Sequence, residues 1–427
     1  MKRLLSIITV CLFCAGMIFA SGSTETSLTP GDGIIRVQFW HSMGGKNGER
    51  LETLCNAFND SHPGIKVIPS YQGDYWTAAS KAIAAVAVGE NPDIVQMGAD
   101  HVSVFSREDG VIADLLPYMK KSGIDPDDFI EAFSWDYRIK GKFIAVPFGR
   151  SMPVLYINKD MFAKEGLSIP TNWDEWAKVS NALVRKKTNE EITRYGFAMP
   201  RDTWYFFMAC AQAGGDFINK EHTGMGCIQN GNGLRAYTYF QNLHNSGAMF
   251  FGPVTESSNT CIQMFLEGKC GMLLNSIGAL TNVQSNAQFT VQVAFVPQGK
   301  VRVVPTGGNS ICMLEGSKHK EAAWEFIRWA IQDPKGILYF TQDSGYMPIT
   351  KSMAASPEEQ ALWKRVPNRA KAYEQLRYAS DKGHRVPQSG AIMNELYTFI
   401  DAVMYDNEDV KKQLNILAGS IATLMKE

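Results

Sequence analysis

The chain has 427 residues, well above the ~100–200 of one typical domain, and 45% of it is apolar, enough to fill two cores. Lysine and arginine number 42 against 43 acidic residues. With no basic excess there is nothing to grip a phosphate backbone or an anionic bilayer, so nucleic acid is not an expected partner.

Lys2 and Arg3 precede an apolar run over 4–19 that gives way to Ala20-Ser21-Gly22-Ser23-Thr24. A positive start, a short apolar core and a small-residue cleavage site make residues 1–20 a secretory signal peptide, and 21–33, rich in Ser, Thr, Gly and Pro, a flexible leader. The bulky Phe13 before Cys14 and Val10 before Cys11 disfavour a lipid anchor, and no later run approaches the ~20 apolar residues of a membrane span. The mature protein is expected outside the cytoplasm, in the periplasm.

Residues 34–40 alternate apolar and polar and run into Gly44-Gly45, a strand entering a turn. Leu51, Leu54, Cys55 and Phe58 then lay one apolar face on a helix over about 49–59. Turns at the carboxyl ends of such strands collect ligands in open α/β sheets, which places Trp40, His41 and Ser42 beside a cleft. A strand over 65–69, an aromatic loop over 71–76, a helix over 77–88 and a strand over 92–97 follow, so strands alternate with helices and the sheet is mostly parallel. Between 141 and 156 two buried strand-like runs flank the turn 149–153, where the first crossing between lobes is placed. Helices are expected from Trp173, over 203–211, after the turn 230–233 and around Ala322–Ala330, with a helix ending near Leu266 and returning as a strand over 270–274.

Six cysteines remain after cleavage, without a CxxC pair, so neither a zinc site nor a redox site is expected. Export permits disulfides, with Cys261 and Cys270 closest in sequence; small buried thiols are the equal alternative. There is no HExxH, GxSxG or GxxxxGK[ST], and the 7 histidines lack ligand spacing. The plentiful carboxylates leave a secreted glycoside-active hydrolase as the second reading, although none sits in an obviously apolar setting that would raise its pKa. What recurs is an aromatic or hydroxyl residue beside a glycine or proline: Tyr75 after Gly73, Ser151 before Pro153, Ser276 before Gly278, Asn309-Ser310 after Gly307-Gly308, and Tyr346 after Gly345. Fixed donors and ring faces of this kind suit a sugar or polyol; taken alone, a turn serine more often caps an amide and a turn tyrosine more often packs.

Phe39-Trp40-His41-Ser42-Met43, the Tyr-x-Gly-x-Tyr of 71–75, Pro153-Val154-Leu155-Tyr156-x-Asn158-Lys159-Asp160 and Gly345-Tyr346-x-Pro348-Ile349-Thr350 resemble, in the same order, the extracellular solute-binding proteins (family 1) of ABC sugar importers, most of all the branch that binds glycerol 3-phosphate. The resemblance implies an α/β, two-lobed periplasmic-binding-protein fold of type II, with mixed sheets flanked by helices and a ligand cleft between the lobes. It also implies a sugar, polyol or glycerophosphate ligand, delivery to the transmembrane subunits of an ABC permease, and no cofactor. The lobes are expected at 34–149 with 277–335 and at 150–276 with 336–427. By motif position the ligand contacts fall on Tyr75, Ser151, Ser276, Gly308 and Tyr346, with Trp204 where the family presents a tryptophan. The family's acidic contact falls on Ala99, with Asp100 next to it, and its phosphate-side arginine falls near Met393; Arg150 and Arg385 are the candidate substitutes.

Overall fold

The computed structural model describes residues 33–102, 110–135, 137–228, 230–380, 386 and 388–426, with the backbone alone at Asp100. The expected signal peptide, the leader apart from Gly33, and Arg385 lie outside the described residues. By its contacts the chain divides into Met1–Ile34 and Ile35–Glu427; the two-sheet architecture belongs to the second unit.

Alternating or continuous apolar runs form β1 (Ile35–His41), β2 (Ile65–Tyr71), β3 (Ile94–Gly98), β4 (Val146–Ser151), β5 (Pro153–Asn158), β6 (Ile192–Met199), β7 (Met249–Phe251), β8 (Cys270–Ser276), β9 (Val291–Ala294) and β10 (Gly307–Met313). The first sheet runs β2-β1-β3-β10-β4, with β1 parallel to β2 and β3, and β10 antiparallel to β3 and β4. The second runs β7-β6-β8-β5-β9, parallel through β8 and antiparallel at β5 and β9. Both sheets are therefore mixed, each covered by helices, and each anchors its own apolar cluster: Phe39, Leu54, Phe58 and Phe326 belong to the first, Trp176, Phe197, Phe240 and Leu274 to the second.

Five helices frame the two sheets where ligand-facing residues arise: α1 (Gly45–Ser61), α2 (Tyr75–Ala87), α3 (Thr203–Gln212), α4 (Lys320–Gln332) and α5 (Ser389–Met404). The face of α1 read from the sequence, Leu51, Leu54, Cys55 and Phe58, is the buried one. Phe58 meets Phe326 of α4 edge-on at 5.2 Å, an arrangement favoured by the ring quadrupoles.

The chain leaves the first sheet for the second between β4 and β5 and returns between β9 and β10. Val291–Ala294, expected with the first lobe, pairs antiparallel to β5 in the second sheet. A short edge strand carries no mark of which sheet it will join. Ile337, Phe340 and Ile349, all three expected with the second lobe, pack in the first cluster, because the apolar face of α4 continues past Pro334 toward α1. No helix among the described residues is long and apolar enough to cross a membrane. The six described cysteines, Cys261 and Cys270 included, are free thiols buried in the cores.

Candidate functional site: a cavity between the lobes

The carboxyl ends of β3 and β8, the turn leading into β10 and the first turns of α2 and α3 converge on a cavity of about 390 Å³, within the ~300–1,000 Å³ of small-ligand sites. Six of the residues expected from the sequence line it: Tyr75, Ser151, Trp204, Ser276, Gly308 and Tyr346.

Tyr75 opens α2, whose N-cap is Asp74; the Asp74 carboxylate accepts from the Thr77 amide at 2.8 Å. The Tyr75 hydroxyl accepts from Asn309 Nδ2 at 3.0 Å, and Asn309 Oδ1 accepts from the Gly149 amide at 3.0 Å. Burial pushes the Tyr75 pKa up, while hydrogen bonds with Asn309 and Tyr346 and the charge of Arg150 pull it back. Burial, followed by repulsion from Tyr75, lifts Tyr346 well above the ordinary phenol range. Both phenols are thus neutral, and both residues line the cavity.

Gly308 sits at φ +90°, and a Cβ there would lie 2.0 Å from the Gly149 carbonyl oxygen. Only glycine permits this approach, which turns the strand entry toward the cavity. A Cβ on Gly307 would lie 2.8 Å from Cζ2 of Trp204, so the indole rests directly on this turn. Trp204 is in the first turn of α3, where Asp202 accepts from its amide at 2.9 Å, and its Nε1 is enclosed without a hydrogen-bond partner. Ser276 caps the turn beyond β8, accepting from the Gly278 amide at 3.0 Å, while Tyr156 donates to the Ser276 carbonyl at 2.7 Å.

The structure also brings in residues that the sequence reading missed. Trp76, His101 and Tyr397 line the cavity, as do the Asp74 and Asp202 caps. Trp76 follows Tyr75 in the same aromatic loop. Tyr397 lies one helical turn beyond Met393, itself on the cavity wall, so helical spacing around Met393 was the available signal. Arg201 lies over the Tyr397 ring at 4.3 Å and is held by Asp401 at 2.6 and 2.8 Å, outside the lining. Among the described residues that line the cavity, none is lysine or arginine.

Other expectations are corrected. Arg150 does not reach the cavity: strand residues alternate faces, so with Ser151 on the cavity, Arg150 projects to the other side of the sheet, wholly buried. Trp40, His41 and Ser42 do not line it either. His41 is drawn inward between Phe39 and Tyr71, with ring centroids 6.0 and 5.9 Å away, and Trp40 packs on a core cluster. Burial lowers the His41 pKa to about 4, and its neutral Nδ1 accepts from the Met43 amide at 3.3 Å. It is Gly44 and Gly45 that face the cleft, at an outer polar mouth of about 780 Å³ sharing Ser276 and Tyr346 with the inner cavity. Asp100 adjoins the lining residue Ala99, and Arg385 lies outside the described residues.

A ligand in this cavity would touch both lobes. Such a cavity, with aromatic walls, neutral hydroxyls and a glycine-exposed backbone turn, defines a two-lobed binding protein. The bacterial extracellular solute-binding protein family model matches residues 53–370, and the chain belongs to that family. It is 26% identical over 400 residues to the sn-glycerol-3-phosphate-binding periplasmic protein UgpB of Agrobacterium fabrum, covering 89% of this chain and 90% of that protein. It is also 26% identical over 361 residues to the protein of the same name from Escherichia coli K12, covering 80% and 81%. In fold it is similar to UgpB from Mycobacterium tuberculosis, solved in complex with glycerophosphocholine, with TM-score 0.81, 24% identity, and 93% and 99% of the chains covered. The acarbose-binding GacH receptor of Streptomyces glaucescens gives TM-score 0.81 at 20% identity, covering 92% and 99%.

Proposed function

We propose that this solute-binding protein works outside the cytoplasm, captures a small hydroxylated ligand (a sugar, a polyol or a glycerophosphate) between its lobes, and hands it unaltered to the transmembrane subunits of an ABC permease. The observation that carries the reading is the cavity itself. Tyr75, Trp204 and Tyr346 offer ring surfaces to the C–H faces of a polyol, while Ser151, Ser276 and the Gly308 backbone offer hydrogen bonds. The names of the glycerol-3-phosphate-binding relatives support the glycerophosphate member of this set.

The carboxylates of Asp74 and Asp202 at the cavity are engaged as helix caps, accepting from the Thr77 and Trp204 amides, whereas a general acid is a carboxyl kept protonated by an apolar pocket. Calorimetric titration with hexoses, glycerol, glycerol 3-phosphate and glycerophosphodiesters, followed by mass analysis of the recovered ligand, tests the proposal. Saturable binding with intact ligand is expected; conversion of the ligand to product would establish the hydrolase reading instead.

A further inference from the structure

Arg150 is wholly buried, and its hydrogen-bond partners among the described residues are hydroxyls rather than carboxylates. Its guanidinium donates to the Tyr137 hydroxyl at 2.8 Å and to the Ser310 and Thr306 hydroxyls at 3.4 Å each. The rings of Phe133 and Tyr137 lie 5.3 and 5.8 Å from its central carbon, and Nε has no partner. A guanidinium stays charged at any pH a protein meets. Desolvating it among neutral dipoles and ring faces is costly, and an apolar side chain of similar volume is often at least as stable in such a place.

The position of this charge suggests what offsets the cost. Ser151, the next residue, and Gly308, its backbone partner across the sheet, both line the cavity. One layer of backbone therefore separates the guanidinium side of the sheet from the ligand side.

We infer that Arg150 is a specificity-determining residue that acts through the sheet rather than by contact, its buried positive charge favouring a ligand that carries negative charge at the Tyr75–Gly308 end of the cavity. This rests on the proposed binding function and names the charge class of its ligand. The Tyr75 hydroxyl already feels the field: Arg150 pulls its pKa down against the larger upward push of burial. No described lysine or arginine lines the inner cavity; Lys46 and Arg50 lie on the outer mouth, paired with Glu49 and Asp343, and the carboxylates of Asp74 and Asp202 are directed onto helix amides. At roughly 10 Å and an effective dielectric of about 20, one unit charge changes affinity on the order of tenfold.

The test is calorimetric titration of wild type, Arg150→Gln and Arg150→Lys with two matched pairs: glycerol against glycerol 3-phosphate, and glucose against glucose 6-phosphate. Wild type is expected to hold the phosphorylated member of a pair more tightly. Arg150→Gln should weaken that member on the order of tenfold and its neutral partner less than about twofold, while Arg150→Lys, which keeps the charge, should retain most of the preference. Equal weakening of both members would show a merely structural side chain and overturn the inference, and so would a wild-type preference for the neutral members. If Arg150→Gln does not fold, the wild-type and Arg150→Lys preferences decide. Binding of a neutral solute alone would leave the binding function standing and remove this inference; binding of no member of either pair would tell against the proposed ligand class itself.

Discussion

At the scale of single residues, the site depends on side chains that hold other side chains. Asn309 joins the Gly149 amide to the Tyr75 hydroxyl. Asn309→Ala leaves both without that partner in a buried place, which costs about 1–3 kcal/mol. Urea unfolding should show a loss of that size, and titration should show weaker ligand binding because the Tyr75 ring loses its tether. A second residue-scale prediction concerns acid. The folded His41 pKa lies near 4, below the ordinary value of 6.5, so the unfolded chain takes up a proton there before the folded one does. The stability contributed by neutral His41 is complete above pH 6.5 and is lost as pH falls from 6.5 toward 4. His244, whose pKa burial also lowers, adds in the same direction. Unfolding measured at pH 7.5, 5.5 and 4.5 should show His41→Gln losing less across that interval than wild type; parallel losses would rule out His41 as a source of the slope. Much of the cavity lining was legible at this scale, because Tyr75, Ser151, Ser276, Gly308 and Tyr346 sit close to a glycine or proline near the ends of their elements. Arg150 was misplaced because 149–153 was read as a turn; β4 continues through Ser151, so neighbouring residues alternate faces there.

At the scale of elements, two helices deliver aromatic rings to the cavity from their first turns, and each start is capped by an aspartate. Removing a cap costs about 0.5–2 kcal/mol. Asp202→Ala should therefore lower the melting temperature and also weaken ligand binding, since the amide it caps belongs to Trp204. Asp202→Asn, which keeps the accepting oxygen, should recover most of both losses; a variant that is destabilised yet binds ligand normally would separate Trp204 from the site. The helices themselves were readable from apolar spacing: α1, α3 and α4 fall where the periodicity put them, with ends displaced by a few residues. What could not be read was the partner of each strand. Val291–Ala294 has only two β-branched residues in alternation, and its membership of the second sheet follows from a backbone ladder with β5, a tertiary pairing that leaves no local mark in the sequence. The third contribution to the cavity wall, Met393 and Tyr397 of α5, was half legible, since the position was singled out but its helical neighbour was not.

At the scale of the whole molecule, the proposed binding has two lobes close on one ligand, and the structure shows where they meet. Trp76, at the start of α2, packs against the core of the second lobe, and a Cβ added to Gly390 of α5 would lie 3.1 Å from its Cζ3. That spacing leaves room for glycine and for little else. Gly390→Leu places a branched side chain in the contact and should hold the lobes apart. If the closed population falls to about a tenth, apparent affinity falls about tenfold, because the intrinsic dissociation constant is divided by the competent fraction. The ligand-induced rise in melting temperature should shrink, since a ligand at a hundred times its dissociation constant adds about 2.7 kcal/mol and a tenfold weaker one adds about 1.4 kcal/mol at the same concentration. Small-angle scattering gives the independent readout: wild type should contract on adding ligand and Gly390→Leu should contract less. A variant that contracts fully and binds as tightly as wild type would show that the Trp76–Gly390 contact does not limit closure.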